Sequence, residues 1–261
     1  MTRVSHLYIY PVKSLQGISV DEVDVLERGF KNDRRWMIVD SNKDFITQRN
    51  HPQLSQIAVD LSQDKIHLSA DGNSIHLALS DSTKPVEVTV WQNQVNALEA
   101  DTLQNEWISE FLGGHYSFVL MPEDGKRPAN PNYAQHNENV SFADGYPYLI
   151  IGQSSLDDLN SSLPSPIPMN RFRPNIVVTG SSAYEEDHWR EMKIGEVPFY
   201  GTHPCKRCIF TTIDQETGTK GKEPLKTLAS YRKDGKDVIF GLNALARKKG
   251  IVRVGDELCL M

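Results

Sequence analysis

The sequence predicts a mainly β protein with a few short helices, an α+β chain in which two β-barrel-like halves pack together. Three observations predict it. Short runs of β-branched and aromatic residues recur along the chain, bounded by Gly, Pro, Asn and Asp. Within several runs, apolar and polar residues alternate with the period of a half-buried strand. Few segments, by contrast, place apolar residues at helical spacing.

In chain order, strands are expected at Leu7–Tyr10, Trp36–Val39 and Ile57–Leu61. Ile66 and Leu68, then Ile75, Leu77 and Leu79, flank Asp71-Gly72-Asn73, a hairpin with a glycine free to take a positive φ. Val86, Val88 and Val90 alternate with polar residues up to Trp91. Leu103, Trp107 and Phe111 recur every fourth residue, a helix capped by Asp101 or Thr102 and stopped by Gly113-Gly114. The polar stretch Pro122 to Asn139 reads as a linker or mobile loop, which divides the chain into 1–120 and 121–261. Beyond it, Tyr148-Leu149-Ile150-Ile151 has the length of a core strand. Ser154 opens a Ser-x-x-Asp box ahead of Leu156, Leu159 and Leu163, a second short helix. Strands follow at Ile176–Thr179, Val197–Tyr200, Cys208–Thr212 and Glu257–Leu260, and Pro224 suits the first turn of a third helix through Leu225, Leu228 and Tyr231.

Composition excludes several classes. Hydrophobic residues make up 39% of the 261 positions, enough for a core without disulfide or metal staples. A net charge of −6 argues against a general nucleic-acid binder, which needs a basic surface. No apolar run approaches the ~18 residues that a membrane-spanning helix requires. The start, Met1 to His6, lacks the apolar stretch of a secretion signal. Cys205, Cys208 and Cys259 form an odd, sparse set, suited to a reducing compartment, and the expected location is the cytoplasm.

Four places are harder to explain as packing. In Tyr10-Pro11-Val12-Lys13-Ser14, Pro11 ends a strand and presents a cation and a hydroxyl, which suit an anion. Asp33-Arg34-Arg35-Trp36 carries two arginines into a hydrophobic strand, costly without a carboxylate or phosphate partner, and Thr47-Gln48-Arg49 adds another polar anchor. Alternation in Arg171-Phe172-Arg173-Pro174-Asn175 places Arg171, Arg173 and Asn175 on one face, with forked donors and an amide suited to a phosphate and a heterocycle edge. Finally, Cys205-Lys206-Arg207-Cys208 is open to zinc, a redox dithiol or accident, although the adjacent cations favour a thiolate and a soft thiolate suits a metal centre. An exposed lysine, surface ion pairs and barrel capping are the plainer explanations of the first three.

Taken in order, Tyr-Pro-x-Lys-Ser, Asp-Arg-x-Trp, Arg-Phe-Arg-Pro-Asn and Cys-x-Arg-Cys-x-x-Thr-Thr resemble the MOSC family. The similarity is greatest to the branch of the mitochondrial amidoxime-reducing component and its bacterial relatives, and it extends from the first strand to Val254-Gly255-Asp256. The resemblance implies an N-terminal MOSC β-barrel domain over 1–120 and a MOSC domain over 121–261. It implies a molybdenum cofactor (Mo-molybdopterin) with Cys208 as metal ligand and catalytic centre. Lys13, Ser14, Arg34, Arg173, Asn175 and Arg207 would contact the cofactor, as would Asp101 and Thr102, where the match is weaker. The implied reaction is reduction of a small N-hydroxylated substrate, N–O cleavage to an amine and water. Many bacterial relatives continue into a 2Fe–2S domain with four cysteines, so a separate or truncated iron–sulfur or flavin donor is the expected partner. Two other readings stay open: a molybdenum-cofactor or sulfur carrier without turnover, and a zinc module on His203, Cys205, Cys208 and Cys259.

Overall fold

A computed structural model describes residues 1–62, 65–134 and 138–261. Seven strands close into a barrel, in the order Tyr148–Gly152, Ile176–Thr179, Thr2–Ile9, Glu257–Leu260, Glu191–Ile194, Val197–Arg207 and Asp237–Ala246, which returns to Tyr148–Gly152. Neighbouring staves are antiparallel except Tyr148–Gly152 against Ile176–Thr179. Closure leaves no exposed edge between staves and turns one residue in two inward. The inward set, including Leu7, Ile9, Tyr148, Ile150, Ile176, Val178, Phe199 and Leu242, forms one apolar core.

Residue 120 ends the strand Tyr116–Leu120, while the opening strand Thr2–Ile9 is a stave of the barrel otherwise built from residues 148–260. A second sheet has the order Trp36–Asp40, Tyr116–Leu120, Asn93–Ala100, Ser82–Val90. Its strand Trp36–Asp40 is covered on both faces. Trp36 and Ile38 join one apolar cluster, and Met37 and Val39 join another, as a period of two requires. The expected hairpin appears as Lys65–Ala70 and Asn73–Leu77 around Asp71 and Gly72, both at positive φ.

All three expected helices form, at Thr102–Leu112, Gln153–Ser162 and Leu225–Tyr231. The first stops as expected at Gly113, left-handed at φ 70, whose N–H bonds back to the Ser109 and Glu110 carbonyls. The second is capped differently from the expected box. The buried carboxylate of Glu186 accepts from Gly152 N at 3.1 Å and Ser155 Oγ at 2.8 Å, doing from a distant turn what Ser154 does not.

Three strand expectations need correction. Leu79 opens a 3-10 turn, Leu79–Asp81, because the Asp81 carboxylate accepts the Ala78 N–H and folds the chain back. The strand begun at Val197 continues to Arg207, paired with Asp237–Ala246. Cys208 therefore sits just past a strand end, and the residues after it form the 3-10 helix Ile209–Thr212. The cause is local. Thr211 Oγ1 donates to the Cys208 carbonyl at 3.0 Å and Thr212 Oγ1 to the Ile209 carbonyl at 2.8 Å, bonds that compete with an extended ladder. Of the stretch Pro122 to Asn139, residues 135–137 lie outside the described residues. Its described part holds the buried Arg127, whose guanidinium donates to the Ser141, Ala143 and Asp144 carbonyls.

Candidate functional site

A cavity of about 1190 Å³ opens where the barrel's strand ends meet the N-terminal half. Lys13, Ser14, Arg34, Arg173, Asn175, Arg207 and Cys208 all line it, although they come from four separated stretches of sequence. Asp101 and Thr102 do not. They begin the helix Thr102–Leu112, and Thr102 faces a separate recess beside Lys43 and Glu99.

Backbone strain marks three of the converging residues. Ser14, Arg34 and Arg173 are left-handed at φ 70, 48 and 54. Such a conformation costs a non-glycine residue on the order of 1 kcal/mol or more and persists only where the surroundings impose it. Here they do. Arg34 N donates to the Tyr10 carbonyl at 2.7 Å, and the Ser14 carbonyl accepts from Gln48 Nε2 at 2.7 Å. Gln48 is locked in turn by Gln215 in a reciprocal, buried amide pair at 2.8 and 3.0 Å, which ties the two halves of the chain together behind the cavity.

The C-terminal wall is a row of cations. Arg171 leaves the 3-10 turn Met169–Arg171, and Arg173 and Asn175 follow it. The three share the cavity as expected, through a turn and a left-handed residue instead of plain alternation. Arg34 and Arg173 both lie over the buried Tyr10 ring, at 4.3 and 4.1 Å from its centroid, so the ring quadrupole softens their repulsion. Arg34 Nη1 also donates to Asp33 Oδ2 at 2.7 Å and Asn175 Oδ1 at 3.0 Å. Burial pushes the Arg173 guanidinium down to about 10. Arg207 donates to Cys205 Sγ at 3.2 Å and to the Phe172 carbonyl at 2.8 Å. Several N–H groups on this wall have no partner among the described residues: Arg171 Nε and Nη1, Arg173 Nη2 and Arg207 Nε are buried and make no hydrogen bond there. The nearest carboxylate to Arg171, Asp214, stands 3.6 Å off, beyond hydrogen-bond reach. Unsatisfied buried donors are costly, and each of these belongs to an arginine that lines the cavity.

On the N-terminal wall the cluster of Lys13, Arg49 and Asp144 is closed on itself, although Arg127, which donates to the Asp144 carbonyl, keeps a buried Nε with no partner among the described residues. Lys13 Nζ donates to Asp144 Oδ1 at 2.5 Å and to the Phe142 carbonyl at 2.8 Å. Arg49 donates through Nη2 to Asp144 Oδ2 at 2.8 Å and through Nε to Cys208 Sγ at 3.3 Å. Burial lowers the Lys13 ammonium to about 8 against the pull of Asp144. Burial alone would raise the Asp144 carboxyl, yet Lys13 and Arg49 together hold it well below the usual carboxylate range. Its side chain is still 51% open, facing the cavity.

Asp144 was invisible in the sequence, since it follows a polar stretch with no regular spacing, and Arg49 was noted only as a polar anchor. The four-ligand zinc arrangement does not assemble. Cys259 is exposed on Glu257–Leu260, the His203 ring stacks on Tyr133 at 4.1 Å, and no group of His, Cys, Asp and Glu among the described residues could hold such an ion. Also among the described residues, no helix is long and apolar enough to cross a membrane.

Comparison with known proteins agrees with this architecture. The profile of the MOSC N-terminal beta barrel domain matches residues 1–115, and that of the MOSC domain matches residues 137–259. Mitochondrial amidoxime-reducing component 1 of Homo sapiens is 33% identical over 280 residues, covering 99% of this chain and 82% of its own length. Mitochondrial amidoxime reducing component 2 of Bos taurus is 34% identical over 278 residues, covering 99% and 83%. Molybdenum cofactor sulfurase of Oryza sativa subsp. japonica is 32% identical over 259 residues, covering 90% of this chain and 31% of its own length. With both profiles matched and relatives of this identity aligned along nearly its whole length, the chain belongs to the MOSC-domain family, in the form that carries the N-terminal β-barrel domain.

Proposed function

We propose that this protein binds a molybdenum–pterin cofactor in the cavity and reduces small N-hydroxylated compounds, with the Cys208 thiolate as metal ligand. The observation that carries the reading is a row of three arginines, Arg171, Arg173 and Arg207, which line the same cavity as the partly exposed Cys205 and Cys208 and keep buried N–H groups with no partner among the described residues. A phosphate-bearing heterocycle with a soft-ligand metal fits both features. Arg173 through Nη2 and Arg207 through Nε supply donors for the phosphate, Lys13 and Ser14 line the same cavity, and Arg34 and Asn175 fix the Arg173 backbone and the barrel rim. Asp101 and Thr102 take no part.

When bound, the metal supplies the two electrons for N–O cleavage to an amine and water. The remaining work falls to side chains. Arg49 holds the Cys208 sulfur in place, and Lys13 and Arg49 together keep Asp144 ionised. Lys13 Nζ, brought down to about 8, can release a proton near neutral pH to a group bound against Asp144. The electron donor is a separate or appended iron–sulfur or flavin protein, since the chain carries no Gly-x-Gly-x-x-Gly fingerprint.

One relative carries the name of a cofactor sulfurase, so a cofactor or sulfur carrier without turnover is the alternative. Holo-protein made in a molybdenum-competent host and given reduced viologen separates the two. Release of the corresponding amidine from an amidoxime supports the reductase. Full cofactor loading with no amidine release supports the carrier.

A further inference from the structure

The hairpin between Ser82–Val90 and Asn93–Ala100 turns in two residues, Trp91 and Gln92, since Val90 pairs with Asn93. Trp91 is left-handed at φ 57, at the first central position of the turn, where glycine is the favoured occupant. A bulky aromatic there is a genuine outlier. The ring is not recovering the strain by burial, for Trp91 is 49% exposed. It is aimed at the site instead. Trp91 lines the cavity, the edge-on ring of Phe45 lies 5.0 Å behind it, and the Arg49 guanidinium stands 5.1 Å from its centroid. The same guanidinium faces Phe210 at 5.9 Å and bonds Cys208, so the indole is one side chain away from the thiol. Phe45 in turn carries Lys13 Nζ at 5.3 Å. A strained, half-open indole at the mouth of a charged cavity offers a flat π face to whatever enters.

We propose that Trp91 is a stacking platform for the substrate, selecting compounds whose N-hydroxyl group is conjugated with an aromatic ring over compact aliphatic ones. This deepens the reductase reading and rests on it for the identity of the reacting group. The stacking surface itself is independent of turnover.

The test uses holo-protein of the parent, Trp91→Gly and Trp91→Phe, with a phenyl and a methyl amidoxime. Trp91→Gly removes the ring while giving the turn the residue it favours, so the hairpin is retained. Dissociation constants are measured by calorimetry, and KM by viologen-coupled turnover. The expected result is that Trp91→Gly weakens the phenyl compound by about five- to tenfold, the worth of one aromatic stack, and the methyl compound by less than about twofold. Trp91→Phe should restore most of the difference. Equal weakening of both compounds would overturn the proposal and leave Trp91 as a support for Arg49, and no weakening of either would overturn it as well. If no amidoxime is turned over but the phenyl-to-methyl binding ratio still falls, the reductase reading fails and the platform stands. Turnover with an unchanged ratio sinks the platform alone.

Discussion

The two walls of the cavity carry similar charge and satisfy it in opposite ways. On the N-terminal wall, Lys13, Arg49 and Asp144 bond one another, so the cluster is complete as the chain folds. On the C-terminal wall, Arg171, Arg173 and Arg207 keep buried N–H groups with no acceptor among the described residues. A completed cluster is a positioning device, because its geometry is set before anything binds. An incomplete one is a binding surface, because folding alone leaves it unsatisfied. The difference teaches which side chains to assign to chemistry and which to capture.

Exchanging the roles of the walls is the strongest way to break that contrast. Asp144→Asn removes the carboxylate that pairs Lys13 and Arg49 at the thiol, so turnover should fall by about 10²–10⁴-fold, the range of a lost acid–base group. Molybdenum content should stay near that of the parent, as elemental analysis would show. If Asp144→Asn instead loses the metal and keeps its rate per metal, the assignment of the N-terminal wall is wrong.

A mutation on the other wall should have the reverse profile, and a sign that sharpens the contrast. Arg171→Leu deletes buried unbonded donors, so the cofactor-free protein should be unchanged or stabilised by up to about 1 kcal/mol in urea unfolding. Cofactor retention should weaken about tenfold, the value of one charge-assisted bond. Destabilisation of the cofactor-free form with unaltered retention would mean that Arg171 is a structural residue.

A third effect concerns pH. Burial lowers Lys13 from 10.5 to about 8. Between those values the unfolded chain holds more protons at this site than the folded one, so its contribution makes stability rise with pH through that window. Below about 8 both states are protonated and the contribution is flat. The rise is worth about 3 kcal/mol at most. Lys13→Met should remove it, read as the difference in unfolding free energy of cofactor-free protein between the two ends of the window. An unchanged pH slope in Lys13→Met would show that Lys13 is not held low by burial.

Much of this contrast was legible in the sequence, but unevenly. The barrel strands Ile176–Thr179 and Glu257–Leu260 and the three helices follow from periodicity, because each buries a face whose spacing is local. The C-terminal wall was legible for the same reason: Arg171, Arg173, Asn175, Arg207 and Cys208 lie in two short motifs. The turn after Cys208 was misread as a strand, since its β-branched threonines suit both extended backbone and back-bonding to carbonyls, and only the chain's path decides. Asp144 and Trp91 could not be read at all. One owes its role to Lys13 and Arg49, far away in sequence, and the other to a left-handed turn that no residue at that position announces.

The account stands most directly on Cys208. Parent, Cys208→Ala and Cys205→Ala proteins, made side by side in a molybdenum-competent host, can be compared for molybdenum and pterin per chain. Both cysteines line the cavity, but Cys208 accepts from Arg49, whereas Cys205 is bonded by Arg207 and packs beside Phe172 and Phe240. Metal is expected in the parent and in Cys205→Ala, with loss of most of it in Cys208→Ala. Metal retained by Cys208→Ala and lost from Cys205→Ala would contradict it.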